Sequence, residues 1–282
     1  MRIFIAGGTG AIGTLLVPLL VGAGHTVTGG TRTAEGLERL AALGARGVRL
    51  DAFDRDAVAA ALEDAAPDAV VHQLTSLSGG SSADNARIRV EGTRNLVDAA
   101  KRAGVRRIVA QSVSWAYRPG EGPADEDTPL DTGAPQPRQT TIGGVTALEE
   151  AVAEIDEHVL LRFGAFYGPG TWYAPGGLMA GKLAGGVLAA DDGVSSFVHV
   201  RDAARATLQA LQWPSGPVNV VDDEPAPAHE WVPALAAALD RPAPQRTAGG
   251  APWERGALNT RAKSLGWSPR HSSWRTGFAD QG

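Results

Sequence analysis

The 282-residue chain has no cysteine. That absence removes disulfides, thiolate nucleophiles and cysteine-ligated metals together, so any chemistry rests on other side chains. Tyrosine and lysine are nearly as scarce: Tyr117, Tyr167 and Tyr173 are the only tyrosines, and Lys101, Lys182 and Lys263 the only lysines. There is no run of lysines, and the net charge is -5, which argues against a surface that tracks nucleic-acid phosphates. No apolar run approaches the length of a membrane span, and the first residues read as a strand rather than a leader. A cytoplasmic protein without a membrane or nucleic-acid partner is therefore expected. No two histidines have helical ligand spacing, so no metal site is expected. The 43% hydrophobic content is ordinary and suffices to bury a core.

What is present is a glycine pattern. Ala6-Gly7-Gly8-Thr9-Gly10-Ala11-Ile12-Gly13 follows the apolar run Ile3-Phe4-Ile5 and precedes a helical stretch, Thr14 to Ala23. A strand, a glycine turn and a helix in that order form a phosphate-binding turn. Gly7 gives the sharp bend, Gly10 lets backbone approach a pyrophosphate, and Gly13 lets helix and strand pack closely. The free N–H groups of the helix's first turn then face the phosphates. Pro18 falls inside that helix and predicts a kink or a shifted start.

Strand and helix patterns then alternate. Strands are predicted at Thr26 to Thr31, Val48 to Leu50, Ala69 to His72 and Arg107 to Gln111; helices at Leu37 to Leu43, from Asp54 through Ala65, and over Asp84 to Ala103. This alternation predicts an α/β fold, a Rossmann-type doubly wound parallel sheet. Trp115 to Pro137 is rich in proline, glycine and carboxylates and reads as a loop that acts as a lid. A helix at Thr141 to Ile155, a strand at Val159 to Phe163 and a strand at Ser196 to Val200 continue the fold. The predicted division is residues 1–165 with 196–221 as the nucleotide-binding domain, and 166–195 with 222–282 as a small, interleaved C-terminal substrate lobe.

The end of the second strand selects the nicotinamide cofactor. An acidic side chain there would bond a ribose 2′-hydroxyl, whereas Thr31 and Arg32 suit a 2′-phosphate, so NADP(H) is expected over NAD(H). The alternative for Arg32 is a solvated arginine on a loop. Asp51 either accepts from the adenine amino group or caps the turn before Asp54. Gly7, Thr9, Gly10, Ala11, Ile12 and Gly13, together with Gln73 and Leu74 after the fourth strand, complete the expected cofactor set.

The chain resembles the extended branch of the short-chain dehydrogenase/reductase superfamily, the epimerase- and dehydratase-like proteins. The resemblance rests on the glycine motif and on Val90-Glu91-Gly92-Thr93-Arg94-Asn95-Leu96, Arg107-Ile108-Val109-Ala110-Gln111-Ser112, Leu161-Arg162-Phe163 with Tyr167-Gly168-Pro169-Gly170, and Phe197-Val198-His199-Val200-Arg201-Asp202. It implies that a serine at the end of strand five holds the substrate carbonyl, a role matched by Ser112 with Ser114 close behind. It also implies a Tyr-x-x-x-Lys pair on the next helix. Anchoring that helix on Glu149 places Thr141 at the tyrosine and Val145 at the lysine, and no register shift restores either residue. Thr141 donates a hydrogen bond but is a poor general acid, so Tyr117 and Tyr167 are the substitute candidates. Each has a plainer role available, packing its ring in a lid.

The resemblance further places Ser195 where sugar-nucleotide enzymes carry a diphosphate-gripping arginine. With that clamp gone, Trp115, Phe166, Trp172 and Tyr173 offer aromatic surface for a small, largely apolar carbonyl or enone substrate. His199 either faces the substrate or ties the fold together. The helices Asp84 to Ala103 and Thr141 to Ile155 match those that pair subunits in the family, which implies a homodimer. The expected activity is NADP(H)-dependent reduction; the rivals are a non-redox isomerase or cyclase and a catalytically inactive NADP(H) sensor.

Overall fold

A computed structural model describes residues 1–76 and 81–279. The chain divides into two compact units, one made of 1–112, 132–161 and 204–217, the other of 113–131, 162–203 and 218–282.

In the first unit, β1 (Arg2–Ala6), β2 (Thr26–Thr31), β3 (Arg46–Arg49) and β4 (Ala69–His72) alternate with α1 (Gly13–Gly22), α2 (Ala34–Ala42) and α3 (Arg55–Ala65). Side-chain caps start α2 and α3: Thr33 accepts from the Gly36 N–H and Asp54 from the Ala57 N–H. The helical stretch after β4 is broken. It runs as α4 (Ser82–Arg87), one π turn over Ile88–Gly92, and α5 (Thr93–Arg102), where the sequence predicts a single helix. Pro18 lies within a continuous α1 that starts at Gly13, one residue earlier than predicted. Then follow β5 (Arg107–Val113), α6 (Arg138–Val152) and β6 (Glu157–Phe163).

The seven-stranded sheet has the order β10-β6-β5-β4-β1-β2-β3, with β10 at Gly216–Val220. β1 pairs in parallel with both β2 and β4, and β2–β3 and β4–β5 are parallel too. Strand order therefore reverses between β1 and β4, the switch point where such sheets receive ligands. On one face Phe4, Val70, Ile108 and Ala110 pack with Leu62, Val97, Leu148 and Val152 from α3, α5 and α6.

In the second unit, β7 (Ala165–Tyr167) pairs in parallel with β9 (Phe197–His199), and β8 (Val194–Ser195) is antiparallel to β11 (Ala226–Pro227). The helices are α7 (Leu178–Ala184), α8 (Val200–Gln209, which runs on into the first unit), α9 (Ala228–Ala238), α10 (Thr260–Ser264) and α11 (Trp274–Gly277). Its core is aromatic. Phe197 has the rings of Tyr167, Tyr173, Trp231, Trp274 and Phe278 around it at centroid distances of 6.5, 5.4, 5.4, 6.2 and 5.5 Å. Among the described residues, no helix is long and apolar enough to cross a membrane.

Candidate functional site

The three glycines of the turn differ in what they serve. Gly7 has φ +94°, and a Cβ there would lie 2.6 Å from the Gln73 carbonyl oxygen, because the C-terminal ends of the parallel strands β1 and β4 lie side by side. A Cβ on Gly13 would come within 2.6 Å of Gly7 and Gly8 backbone atoms. Both are demanded by the protein's own packing. Gly10 is not: it is exposed, and an added Cβ would meet only the Gly7 carbonyl oxygen, at 3.5 Å. Space kept open on the outer side of a turn at a helix N-terminus fits a ligand's phosphates.

At the end of β2, Thr31 is buried and Arg32 exposed. No acidic side chain stands there. Gly29 and Gly30 make room for protein side chains, since a Cβ on either would lie 2.6 Å from Leu40 Cδ2 or 2.8 Å from Leu50 Cδ2. Asp51 is exposed and accepts from the Phe53 N–H at 3.0 Å, forming the turn ahead of Asp54. Across the switch point, the Gln73 N–H extends the β1–β4 ladder by donating to Ala6 O at 2.8 Å. Its side chain is buried, and neither its amide nitrogen nor its amide oxygen has a hydrogen-bond partner. An orphaned buried amide beside an open phosphate turn fits a dinucleotide. His72 is fixed on both nitrogens: Nδ1 accepts from the Leu74 N–H at 3.2 Å, so Nε2 carries the proton toward Thr93 Oγ1 at 2.7 Å. Burial, joined by the charge of Arg89, lowers its pKa to about 4.

Ser112 Oγ, buried at the end of β5, donates to Glu149 Oε1 on α6 at 2.6 Å. Its single proton is thus engaged with a carboxylate. Along α6, Val145 is buried and Thr141 half-buried. Glu149 served the sequence reading only as a register anchor, and Arg89 played no part in it. Both stand on buried helical stripes, Arg89 in step with Thr93, Leu96 and Ala100, and Glu149 with Ile142, Val145 and Val152. A charge inside an apolar stripe is the signal that could have exposed them.

The remaining candidates belong to the second unit. Tyr117 is 1% exposed; its hydroxyl donates to Asn219 Oδ1 at 2.6 Å and accepts from Arg162 Nη1 at 3.1 Å. Burial pushes its pKa up to about 12. Tyr167 packs edge-on to His199 at 5.2 Å, and its hydroxyl donates to the His271 carbonyl at 3.3 Å. Tyr173 stacks on Phe278 at 5.8 Å, and burial raises its pKa as well. His199 lies face to face with His271 at 3.7 Å, its Nδ1 accepting from the Arg201 N–H. Asp202, though buried, accepts from the Arg270 and His271 N–H groups and from His271 Nδ1. Ser114 is buried, Phe166 and Trp172 are half-buried, and Trp115 is 39% exposed with Trp253 at 6.4 Å. Among the described residues, no group of three histidine, aspartate or glutamate side chains is placed to hold a metal.

A doubly wound sheet with an open glycine turn and an orphaned amide at its switch point defines a Rossmann-type, dinucleotide-binding protein. More particularly, the chain belongs to the NAD-dependent epimerase/dehydratase family, whose model matches residues 3–221. It is 43% identical over 305 aligned positions to a Streptomyces 3-diazoavenalumate denitrifying reductase, covering 99% of both chains. With the family, this makes it an NAD(P)-dependent enzyme of the oxidoreductase type. The fold is also that of the Bordetella bronchiseptica enzyme WbmG, solved with NAD and UDP (TM-score 0.80, 24% identity, 100% of this chain and 93% of that one). The Thermus thermophilus UDP-glucose 4-epimerase, solved with NAD, superposes with a TM-score of 0.78 at 24% identity, over 100% of this chain and 97% of that one.

Proposed function

We propose that this protein is an NADP(H)-dependent reductase that replaces a diazo group on a small, largely apolar aromatic compound with hydrogen, releasing dinitrogen. The observation that carries the reading is that, among the described residues, the expected donors are engaged or replaced: Ser112 donates its hydrogen bond to Glu149, and Val145 and Thr141 stand where the family's lysine and tyrosine would be. Reduction of a carbonyl needs a proton at the oxygen. Replacement of a diazonium does not. The carbon–nitrogen bond breaks with its electron pair leaving in dinitrogen, and a carbon–hydrogen bond forms with the pair that arrives with hydride. The cofactor, when bound, supplies that hydride and is oxidised as the substrate is reduced. The relative named for denitrifying a diazo compound supports the substrate class.

The chain's residues bind and orient. The turn at Gly7 to Gly13 would hold the diphosphate, Gln73 and Leu74 the adjoining nucleotide, and Arg32 with Thr31 a 2′-phosphate. Trp115, with Trp253 beside it, offers the open aromatic surface for the substrate ring. A second reading, reduction of a carbonyl or enone, draws on the half-buried Thr141, which would donate to the oxygen.

The test supplies an arenediazonium with NADPH deuterated at the transferable position. One NADPH consumed per dinitrogen released, with deuterium on the aromatic carbon, is expected. Turnover of carbonyls or enones instead would favour the second reading. Turnover without nucleotide would indicate an isomerase or cyclase, and nucleotide binding with no turnover a sensor. Arg32→Ala should weaken NADPH selectively over NADH.

A further inference from the structure

Arg89 sits on the π turn between α4 and α5, is 2% exposed, and has a guanidinium nitrogen, Nη1, that is buried without a hydrogen-bond partner. Leaving a guanidinium N–H unmet inside a protein is costly. Burial brings its pKa down to about 10, against the charge of Glu149. The π turn that carries it packs against α6, and Thr93, four residues on, lies 2.7 Å from His72 Nε2 at the end of β4. This is the β4–β5 side of the switch point, opposite Arg32 on the β2 side. In a doubly wound sheet each half takes one nucleotide of a dinucleotide, with the diphosphate at the glycine turn between them. The adenosine half belongs to the β1–β3 side, so the side holding Arg89 takes the nicotinamide nucleotide. The orphaned Gln73 amide stands on the same strand end as His72.

We propose that Arg89 binds the nicotinamide half of the cofactor, its buried guanidinium donating to the ribose hydroxyls, and so serves as the cation that α6 does not supply. The assignment rests on the cofactor reading above. A planar guanidinium with several N–H donors matches a vicinal diol better than a single point charge would. Glu149 then has two tasks, accepting the Ser112 hydrogen bond and opposing the loss of the arginine's charge on burial.

The test compares wild type with Arg89→Gln and Arg89→Lys, measuring affinity for NADPH and for the adenosine bisphosphate that lacks the nicotinamide nucleotide. Binding is followed by nicotinamide fluorescence and by calorimetry, without substrate. Arg89→Gln should weaken NADPH on the order of 10- to 100-fold and leave the half-ligand within about twofold. Arg89→Lys should fall between wild type and Arg89→Gln. The unaltered half-ligand also reports that the variant is folded. Equal loss for both ligands, or no loss for either, would overturn the assignment and leave Arg89 a structural counter-ion to Glu149. If wild type bound neither nucleotide, the cofactor reading itself would fail and take this one with it.

Discussion

Ser112 Oγ and Glu149 Oε1 lie 2.6 Å apart in the interior, with the serine donating. A hydroxyl has one proton, so this serine has none to offer a substrate oxygen while the pair holds. Ser112→Ala should cost about 1–3 kcal/mol of stability by depriving a buried carboxylate of a donor. It should change kcat by less than about threefold, whereas loss of a working oxyanion donor costs on the order of 100-fold or more. Denaturant unfolding beside steady-state kinetics checks both halves.

Tyr117 should behave as a structural group. Its hydroxyl bridges Asn219 and Arg162, and its pKa of about 12 keeps it protonated throughout the working range. Tyr117→Phe should lower stability by about 1–2 kcal/mol and leave the pH–rate profile unchanged between pH 6 and 9. A shifted profile would restore it as a general acid.

Two buried groups give a readable pH dependence of stability. Asp222 is pushed up to about 8, chiefly by burial, so the folded protein keeps a proton that the unfolded chain gives up near about 4. Its contribution is therefore present at low pH and lost as pH rises through that interval. His72 has the opposite slope: the unfolded chain takes up a proton below about 6.5, while the fold refuses it until about 4. The slopes oppose each other in acid, and from about pH 6.5 to 8 only that of Asp222 remains. Unfolding free energy should fall by about 2 kcal/mol across that window, and Asp222→Asn should flatten it.

The glycine turn yields a contrast between neighbours. Gly13→Ala would force a Cβ to 2.6 Å from two residues' backbone and should destabilise by about 2 kcal/mol or more. Gly10→Ala meets nothing closer than 3.5 Å and should leave the melting temperature unchanged. Only the second should weaken NADPH, by about tenfold or more, with stability intact. Thermal melts with and without nucleotide separate the two effects.

The doubly wound sheet was legible because strands buried on both faces read as apolar runs, and because alternation with capped helices leaves few topologies open. Gly29 and Gly30 carry a different lesson. Their sequence does not say what takes the space a Cβ would fill, and Leu40 and Leu50 occupy it. Leucine side chains from α2 and from beyond β3 arrive there by tertiary packing, which no local pattern encodes. The break at Ile88–Gly92 was likewise invisible, since a π turn has no composition of its own. Arg89 and Glu149 were overlooked for a different reason. A charged side chain ordinarily lies in solvent, although their helical register placed both among buried neighbours. Tyr117 and Tyr167 were named as substitutes for the missing tyrosine and lysine pair, and the packing of Tyr167 with Tyr173 in the second unit emerges only when Phe197 joins them from a separate segment.

That packing bears on how the chain is made. The ring cluster around Phe197 draws Tyr167 and Tyr173 from one stretch and Trp274 and Phe278 from the far end of the described chain. During synthesis, Phe197 and Tyr173 must wait for partners that leave the ribosome later, so the nascent chain carries an uncovered aromatic patch until they emerge. The closing contacts span long sequence separations and form slowly. Cutting the chain before Trp274 would open one wall of this core, and the product should aggregate even though every residue of the nucleotide turn is present.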